Sequence, residues 1–315
     1  MHPFIRPQTV TRLLIISIGL AVCCFVLRHE GRTRSGYNMF PFATSPASAS
    51  PMPTGIPDKL WYKVGANGLN DQLRDYTDSC IKNNPTFHAE FITDAWGDEF
   101  IRKHFASRPD IVENFLAISI PIVKADLLRY IVLPERGGIW NDLDVSCEAP
   151  INEWIPQQYK TNAHVVVGME FDADDWERQF AGWTIMAQPK SPHLLTVIED
   201  TLEGLLQKAD ELKVGIQDLK FDTTGDVVDV SGPQRMTRSI LQSLSNMLGQ
   251  SVDWNDISHV SEPRLIGDVL ILPDYAFADA MNQIYGDRKP GRKLVAHHYA
   301  GSWKNSKGGE VVDTR

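Results

Sequence analysis

The chain has 315 residues, enough for a large domain with a sizeable core, and 43% of them are hydrophobic. Its 40 acidic residues outnumber the 31 lysines and arginines, which gives a formal net charge of −9. This balance argues against a nucleic-acid partner, because such proteins usually present a basic face, and a phosphorylated ligand would need a metal or a few placed cations.

The N-terminal residues predict a membrane anchor. Residues 1–12 carry Arg6 and Arg12 and precede Leu13–Leu27, an uncharged apolar run. As a helix this run spans about 22 Å, which is enough for a thin bilayer when a flanking arginine snorkels. Charged residues occupy positions 28–30, where a small-residue cleavage site would lie. The pattern therefore favours an uncleaved signal anchor over a cleaved signal peptide.

Residues 28–55 are rich in Ser, Ala, Pro and Gly, so they are predicted to form an extended stem. The folded domain is predicted over 56–304, with a C-terminal tail over 305–315. Strands are expected at 56–64, 87–93, 165–168, 180–186 and 267–273, and helices at 70–83, 95–105, 108–115, 191–208 and from Pro121 onward. Strands that alternate with helices indicate an α/β domain with a largely parallel sheet, which binds ligands at the carboxyl ends of its strands.

The four cysteines fall into two groups. Cys23 and Cys24 lie in the apolar run, which leaves Cys80 and Cys147 in the predicted domain. These two either form one disulfide in an oxidising lumen or remain as two buried free thiols, since sequence does not show whether they meet. No Cys and His spacing suggests a zinc site.

The central stretch is Lys124–Pro150, which reads as an amphipathic helix, a Gly137-Gly138 break and a short strand carrying two aspartates. Because side chains alternate along a strand, Asp142 and Asp144 are predicted to share a face. Neighbouring carboxylates repel each other unless a cation lies between them, and a hard divalent ion is the natural occupant. The alternative is a pair of solvated turn carboxylates.

Other polar residues surround this stretch in sequence. Asp126 and Arg129 share a helix face, either as a surface ion pair or as groups at the edge of a pocket. The acidic cluster at 170–175 either contacts sugar hydroxyls or forms a solvated loop. A Ser-Gly-Pro sequence at 231–233 precedes a helix, so backbone N–H groups face whatever lies there.

Residues 124–145 resemble the D-x-D region of glycosyltransferase family 32, whose members carry a pattern of the form SDLLRY…GGIY.D.D. Further blocks follow in the order of the family, namely VVVGMEFDADDW, FAGWTIMAQP, SGPQRMT, GDVLILP and HHYAGSWK. The similarity covers roughly residues 56–304. The predicted anchor and stem also fit the architecture of the family's Golgi mannosyltransferases.

The resemblance implies a GT-A fold, a Rossmann-like sheet that binds a nucleotide sugar through Mn²⁺. In the family the two D-x-D carboxylates hold the metal on the diphosphate, so Asp142 and Asp144 are the predicted catalytic pair and metal ligands. A C-terminal histidine adds a further ligand. The spacing to the GSW sequence that follows favours His297 over His298.

The resemblance also implies which residues hold the donor. Asp126 and Arg129 match positions that contact the donor's sugar and ribose side. Ser302, Trp303 and Lys304 match the tail that closes over the diphosphate. A retaining transfer would use either a carboxylate nucleophile from the 170–175 cluster or a same-face attack within an ion pair.

The function implied by the resemblance is transfer of mannose from GDP-mannose, in α-1,6 linkage, to protein-linked N-glycans. The expected location is the Golgi membrane, with a single-pass type II topology, a lumenal catalytic domain and a possible transferase complex. Two alternatives remain. One is a relative that transfers a hexose to a sphingolipid or cell-wall glycan, and the other is a non-catalytic lumenal subunit of such a complex.

Overall fold

Runs of β-branched and aromatic residues form the strands, and amphipathic segments with an Asn, Thr or Ser cap, or with Pro at the first turn, form the longer helices. The computed structural model describes residues 55–172, 178–279, 291–305 and 307–309. The strands are β1 (Lys59–Lys63), β2 (His88–Ile92), β3 (Gly138–Asn141), β4 (Val145–Cys147), β5 (Val165–Phe171), β6 (Gln179–Phe180), β7 (Thr184–Ala187), β8 (Arg264–Ile266), β9 (Val269–Leu272) and β10 (Val295–His297). The helices are α1 (Asp71–Asn83), α2 (Asp94–His104), α3 (Pro109–Ala117), α4 (Pro121–Arg136), α5 (Pro192–Leu212), α6 (Phe221–Thr224), α7 (Val227–Val230), α8 (Pro233–Leu248) and α9 (Asp274–Phe277).

The main sheet has the strand order β2-β1-β3-β7-β5-β9-β8, and β6 pairs with β5 outside this path. β1 runs parallel to β2 and β3, and β5 runs parallel to β9. Both β3 and β5 run antiparallel to β7, which lies between them, so β1, β2, β3, β5 and β9 point the same way. Their C-terminal ends define the carboxyl edge of the sheet, and their N-terminal ends define the amino edge.

The α/β class is confirmed, but the sheet is mixed rather than largely parallel. β8 and β9 are antiparallel because two residues, Gly267 and Asp268, join them, and a parallel pair needs a crossover of a dozen or more residues. The single strand expected over 180–186 is divided into β6 and β7. The intervening residues 181–183 contain a bend that interrupts the pairing with β5, and β6 and β7 run in the same direction.

The break after α4 depends on two glycines. Gly138 has a φ of +105°, and a Cβ at this position would lie 2.8 Å from the Lys59 carbonyl oxygen of β1. Only glycine allows β3 to approach β1 this closely in that backbone conformation. The Trp61 indole donates a hydrogen bond to the Gly137 carbonyl (2.8 Å) and fixes the end of the helix against the sheet.

The two faces of the sheet carry separate cores. Along β1, Leu60 and Tyr62 belong to one buried cluster and Trp61 to the other, as strand alternation requires. On β5, Val166 and its neighbour Val167 divide in the same way. The helix α4 packs its apolar side onto the Trp61 face, which positions its polar residues at the carboxyl edge.

Cys80 of α1 and Cys147 of β4 form a disulfide, which settles the choice that the sequence left open. The bond joins two elements that are 67 residues apart in the chain, and Ser79 reinforces the joint by accepting a hydrogen bond from the Cys147 N–H (2.9 Å). The short β4 is thereby fixed to α1. β4 in turn pairs with β10 in a separate two-stranded antiparallel sheet.

The described residues all belong to one compact unit, which covers Ala47–Arg315. Within residues 55–172, 178–279, 291–305 and 307–309, no helix combines the length and the hydropathy needed to cross a membrane. The anchor predicted over Leu13–Leu27 and the stem up to residue 54 lie outside the described residues.

Candidate active site

The D-x-D motif follows directly after β3 at the carboxyl edge. Pairing with β7 ends at Asn141, and residues 142–144 form a turn in which the Asp142 carbonyl accepts a hydrogen bond from the Val145 N–H (3.1 Å). The prediction that Asp142 and Asp144 share one face of a strand is therefore wrong, because the turn and not strand alternation sets their directions. Both residues nevertheless lie at the edge where α/β sheets bind ligands.

Asp142 is turned toward α4. Its backbone N–H donates to the Trp183 carbonyl (2.9 Å), and its Oδ1 accepts a hydrogen bond from the Trp140 indole (2.8 Å). Nη2 of Arg129 lies 3.8 Å from the same oxygen. Burial raises the pKa of Asp142, and the positive charge of Arg129 opposes that shift. The side chain remains 31% exposed, so the carboxylate is accessible from the carboxyl edge.

Asp126 and Arg129 form a buried ion pair beneath the motif. Arg129 Nη2 is 2.5 Å from Asp126 Oδ1, and their side chains are 7% and 5% exposed. Asp126 Oδ2 accepts a hydrogen bond from Ser231 (2.7 Å), and Arg129 also donates to the Gly182 carbonyl. The surface ion pair is therefore the wrong alternative. Charges this deeply buried need several partners, yet Arg129 Nε is buried without one.

Asp144 faces the histidine that the sequence singled out. β4 and β10 pair Val145 with His297, which brings His297 Nε2 to 3.3 Å from Asp144 Oδ2. Burial acts to raise the pKa of Asp144, but the hydrogen bond and the charge of His297, together with backbone hydrogen bonds such as that from Ala300, outweigh it, so the net pKa is lowered. The imidazole stacks on the Trp183 indole at 4.1 Å, and its Nδ1 is buried without a hydrogen-bond partner.

His298, the other candidate ligand, is engaged elsewhere. Its ring stacks on Tyr76 of α1 with the ring centroids 3.7 Å apart, and its Nε2 lies 2.8 Å from the Ser146 hydroxyl. Its backbone N–H donates to the Asp144 carbonyl (2.8 Å). His298 therefore orients the turn and the C-terminal segment, and His297 alone of the two faces the motif.

The Asp144 and His297 atoms fit two neighbouring ligands of one divalent ion. Ligands at right angles on an ion with bonds of about 2.1 Å are about 3 Å apart, close to the 3.3 Å observed. Within the described residues, no group of three or more His, Cys, Asp or Glu has a metal-binding arrangement. The structure thus brings Asp144 and His297 together, whereas the Asp142 carboxylate is directed toward Trp140 and Arg129.

The C-terminal strap, residues 298–305 and 307–309, crosses the carboxyl edge. It is tied to the motif through the Ala300 N–H, which donates to Asp144 Oδ2 (2.9 Å). Ser302 and Lys304 are exposed, and the Lys304 ammonium lies 5.7 Å from the centroid of the half-buried Trp303 ring. Within the described residues none of these three side chains hydrogen-bonds to Asp142 or Asp144, so their predicted contact with a diphosphate stays a prediction.

A first cleft of about 390 Å³ lies beside the strap, at the C-terminal end of β1. Asn67 and Asn70 of the loop after β1 line one side, and His298 and Ser302 of the strap line the other. This lining offers amide, imidazole and hydroxyl groups next to the D-x-D turn. The sequence did not indicate the loop, because Asn and Gly at 65–70 are also ordinary turn residues.

The two described acidic residues of the cluster at 170–175 have different roles. Glu170 lies at the end of β5, accepts a hydrogen bond from Gln179 (2.8 Å), and burial raises its pKa to about 7. Asp172 accepts hydrogen bonds from the backbone N–H groups of His259 and Val260 at 2.8 and 2.7 Å, so it holds a loop. The solvated-loop alternative is wrong for both residues, and residues 173–177 lie outside the described residues.

Residues 70–161 match the family described as a glycosyltransferase sugar-binding region containing a DXD motif. The initiation-specific α-1,6-mannosyltransferase of Schizosaccharomyces pombe is 30% identical over 269 residues, which cover 81% of this chain and 65% of that protein. The corresponding Candida albicans protein is 27% identical over 282 residues, covering 79% of this chain and 72% of its own length. A putative glycosyltransferase of Saccharomyces cerevisiae is 27% identical over 269 residues, covering 80% and 66%.

These comparisons confirm the resemblance drawn from the motifs. The region that matches the DXD family model, residues 70–161, holds Asp126, Arg129, Asp142 and Asp144. The relatives named as initiation-specific α-1,6-mannosyltransferases align over about four fifths of the chain. The chain spans 65% of the length of the Schizosaccharomyces pombe relative.

Proposed function

We propose that this protein is a metal-dependent, retaining glycosyltransferase of the GT-A type. It transfers mannose from GDP-mannose in α-1,6 linkage to protein-linked N-glycans. The observation that carries the proposal is the pairing of Asp144 Oδ2 with His297 Nε2 at 3.3 Å, at the carboxyl edge of the sheet and beside an open cleft. The named relatives supply the sugar and the linkage.

The ligand atoms of Asp144 and His297 suit Mn²⁺, which accepts both carboxylate oxygen and imidazole nitrogen. Asp144 and His297 would hold it, with Asp142 joining from the same turn. A bound divalent ion supplies Lewis-acid stabilisation of the negative charge on the departing diphosphate. The stacking of His297 on Trp183 fixes the plane of the imidazole, so that Nε2 faces the motif before any ion arrives.

The chain's own residues position the rest of the donor. The cleft beside β1 accommodates the nucleoside, since Asn67 and Asn70 provide amide groups at the C-terminal end of a strand. The buried Asp126 and Arg129 pair lies under the Asp142 turn and presents fixed polar groups to the sugar. These groups are held by Ser231 and Gly182, so they cost little reorganisation when the donor binds.

Retention of configuration requires either a carboxylate nucleophile or a same-face attack. Of the residues at 170–175 that the structure describes, Glu170 is the candidate nucleophile, because it lies at the carboxyl edge and interacts electrostatically with His297. Asp172 is excluded from this role by its two backbone hydrogen bonds. A same-face attack needs no such group and remains the other route.

The proposed setting is the Golgi lumen, with the chain anchored by Leu13–Leu27 as a single-pass type II protein. The Cys80–Cys147 disulfide supports this setting, because disulfides persist in oxidising compartments. A transferase complex in the same membrane is part of the proposal.

The test incubates the full chain with GDP-mannose, UDP-glucose and UDP-galactose, each with a high-mannose N-glycan and with Mn²⁺ or a chelator. We expect transfer from GDP-mannose only in the presence of the metal, with an α-1,6 linkage in the product. A parallel thermal unfolding series should show that Mn²⁺ raises Tm for the wild-type chain, because an ion that binds only the folded state stabilises it. The Asp144→Ala variant should not show this rise.

The alternatives give different results in the same assay. Transfer to a sphingolipid or cell-wall glycan in place of the N-glycan would replace the acceptor part of the proposal. Neither hydrolysis nor transfer of any of the three donors, with an unchanged Tm in Mn²⁺, would indicate a non-catalytic subunit. Full activity in the chelator would contradict the metal role of Asp144 and His297.

A further inference from the structure

A second cleft, of about 430 Å³, lies at the other end of the C-terminal strap. His298, Ala300 and Ser302 line the first cleft, whereas Lys307 lines the second. The remaining walls come from residues 119–121, which lead into α4, and from residues 219–222, which lead into α6. None of these residues has a role in the donor site described above.

The walls of the second cleft are fixed to one another. The Ser119 hydroxyl donates to the Leu219 carbonyl (3.1 Å), which joins the segment before α4 to the segment before α6. The Ile122 N–H donates to the Gly308 carbonyl of the strap (2.8 Å). Gly308 packs so closely that a Cβ there would lie 2.6 Å from the Phe221 ring. The cleft is therefore a formed feature of the fold, and the strap is one of its walls.

The chemistry of the cleft is amphipathic. Ile120, Leu219 and Phe221 give it an apolar floor, and Lys220, Asp222 and Lys307 are exposed polar residues at its rim. Within the described residues neither lysine is in an ion pair, so both ammonium groups are available as donors. A pyranose has an apolar face and a ring of hydroxyls, which match an aromatic floor and a rim with both donors and an acceptor.

The cleft is close to the reaction centre. Pro121 lines the cleft and begins α4, and Asp126 is five residues further along, a rise of about 7.5 Å. Asp126 bonds Arg129, which approaches the Asp142 carboxylate at 3.8 Å. On the strap side, the Trp303 ring lies 6.5 Å from Phe221. The cleft therefore lies about one and a half helical turns from the buried Asp126 and Arg129 pair under the D-x-D turn.

We propose that this second cleft binds the acceptor as a neutral, hydroxyl-rich oligosaccharide, while the first cleft binds the nucleoside of the donor. The inference rests on the proposed function and specifies where its second substrate binds. The strap, tied to Asp144 at one end and to α4 at the other, separates the two substrates.

The test is isothermal titration of the full chain with a neutral high-mannose oligosaccharide, combined with transfer kinetics from GDP-mannose. The variants are Lys220→Ala with Lys307→Ala, and separately Asp222→Asn. The matched control is Lys103→Ala, an exposed lysine near the C-terminal end of α2. We expect oligosaccharide affinity to fall and the acceptor KM to rise about tenfold in the cleft variants, because hydrogen bonds to charged groups are lost. The donor KM of the cleft variants should change less than twofold. The oligosaccharide affinity and the acceptor KM of Lys103→Ala should also change less than twofold.

Three outcomes would overturn the assignment. They are a failure of the wild-type chain to bind the oligosaccharide, binding by the cleft variants that equals binding by the wild type, and a rise in the donor KM in place of the acceptor KM. Tighter binding of the same oligosaccharide carrying a phosphate monoester would overturn the choice of a neutral ligand. Binding is measured without turnover, so a chain that binds through the cleft but transfers nothing would contradict the proposed function and not the cleft.

Discussion

At the carboxyl edge of the sheet Asp144 lies against His297, and at the amino edge Asp268 lies between His193 and His164. The distances are similar, with 3.3 Å for the first pair and 2.7 and 3.0 Å for the second. Burial acts to raise the pKa of both aspartates, but hydrogen bonds and charge interactions with the histidines, together with backbone hydrogen bonds, outweigh it, so the net pKa of each is lowered.

The two groups differ in how completely their polar atoms are satisfied. At the amino edge His193 is fully buried, with Nε2 on Asp268 and Nδ1 2.9 Å from the Ser243 hydroxyl, and both Asp268 oxygens face a histidine. At the carboxyl edge His297 Nδ1 and Arg129 Nε are buried without partners. Closed networks stabilise a fold, whereas unsatisfied buried groups call for a further explanation, such as a ligand. The comparison identifies the Asp268 network as structural and the Asp144 and His297 group as the one that calls for a ligand.

The largest expected effect is that of Asp144→Ala on activity. If Asp144 holds the metal as proposed, its removal should lower the transfer rate at least about 10³-fold, because the charge on the leaving diphosphate would lose its stabilisation. Steady-state transfer from GDP-mannose measures this, with urea unfolding as a check on the fold. Asp144→Asn keeps an acceptor for the Ala300 N–H and serves as the control for the position of the strap. Normal transfer by the Asp144→Ala variant would contradict the proposed functional role of Asp144 at the carboxyl edge.

Loss of the disulfide should lower both stability and activity. Replacing Cys80 and Cys147 by Ser opens a loop of about 67 residues, which should cost about 4 kcal/mol of unfolding free energy. β4 carries Cys147 and pairs with the strand that carries His297, so activity per folded molecule should fall as well. Thermal unfolding with and without a reductant, together with activity at low temperature, measures both effects. Unchanged activity in the folded variant would show that β10 holds His297 without the disulfide.

At the amino edge the expected loss is one of stability alone. Asp268→Ala leaves the buried His193 without its acceptor, which should cost about 3 kcal/mol of unfolding free energy. The variant should transfer mannose at the wild-type rate per folded molecule, since Asp268 lies at the opposite edge from the D-x-D turn. Urea unfolding and transfer kinetics on the same preparation test this. A loss of activity larger than the loss of folded protein would contradict the division between the edges.

Local sequence patterns predicted most of the elements. Asn70 and Thr93 act as caps, Pro121 begins α4, and Gly137 ends it, because each of these positions depends on nearby backbone chemistry. The strand predicted through Asp142 and Asp144 was wrong, because these residues lie in a turn. Strand alternation applies only while the strand continues, and pairing with β7 stops at Asn141, a long-range fact that the local sequence does not contain.

The composition of the site was predicted less completely than the fold. His297 was singled out through the family resemblance, but its contact with Asp144 depends on the pairing of β4 with β10, which lie almost 150 residues apart. Trp183 lay in a recognised block, yet its stack on His297 involves the bend between β6 and β7, which the local sequence did not indicate. The network of His193, Ser243 and Asp268 has no local pattern, since three separate elements contribute to it.

The smallest expected effect concerns the pH dependence that Glu170 gives to the carboxyl edge. Its pKa in the folded state is about 7, above the ordinary value of 4.5, so the folded protein binds the proton more tightly than the unfolded chain does. Stability from this group is therefore complete at low pH and is lost as pH rises toward 7, by about 2 kcal/mol between pH 5 and pH 7.

Glu170→Gln keeps an acceptor for Gln179 but does not titrate. Urea unfolding at the two pH values should show that wild type loses about 2 kcal/mol more than the variant. Equal losses at the two pH values would mean that Glu170 is no more costly to ionise than an exposed carboxylate, which would contradict its raised pKa.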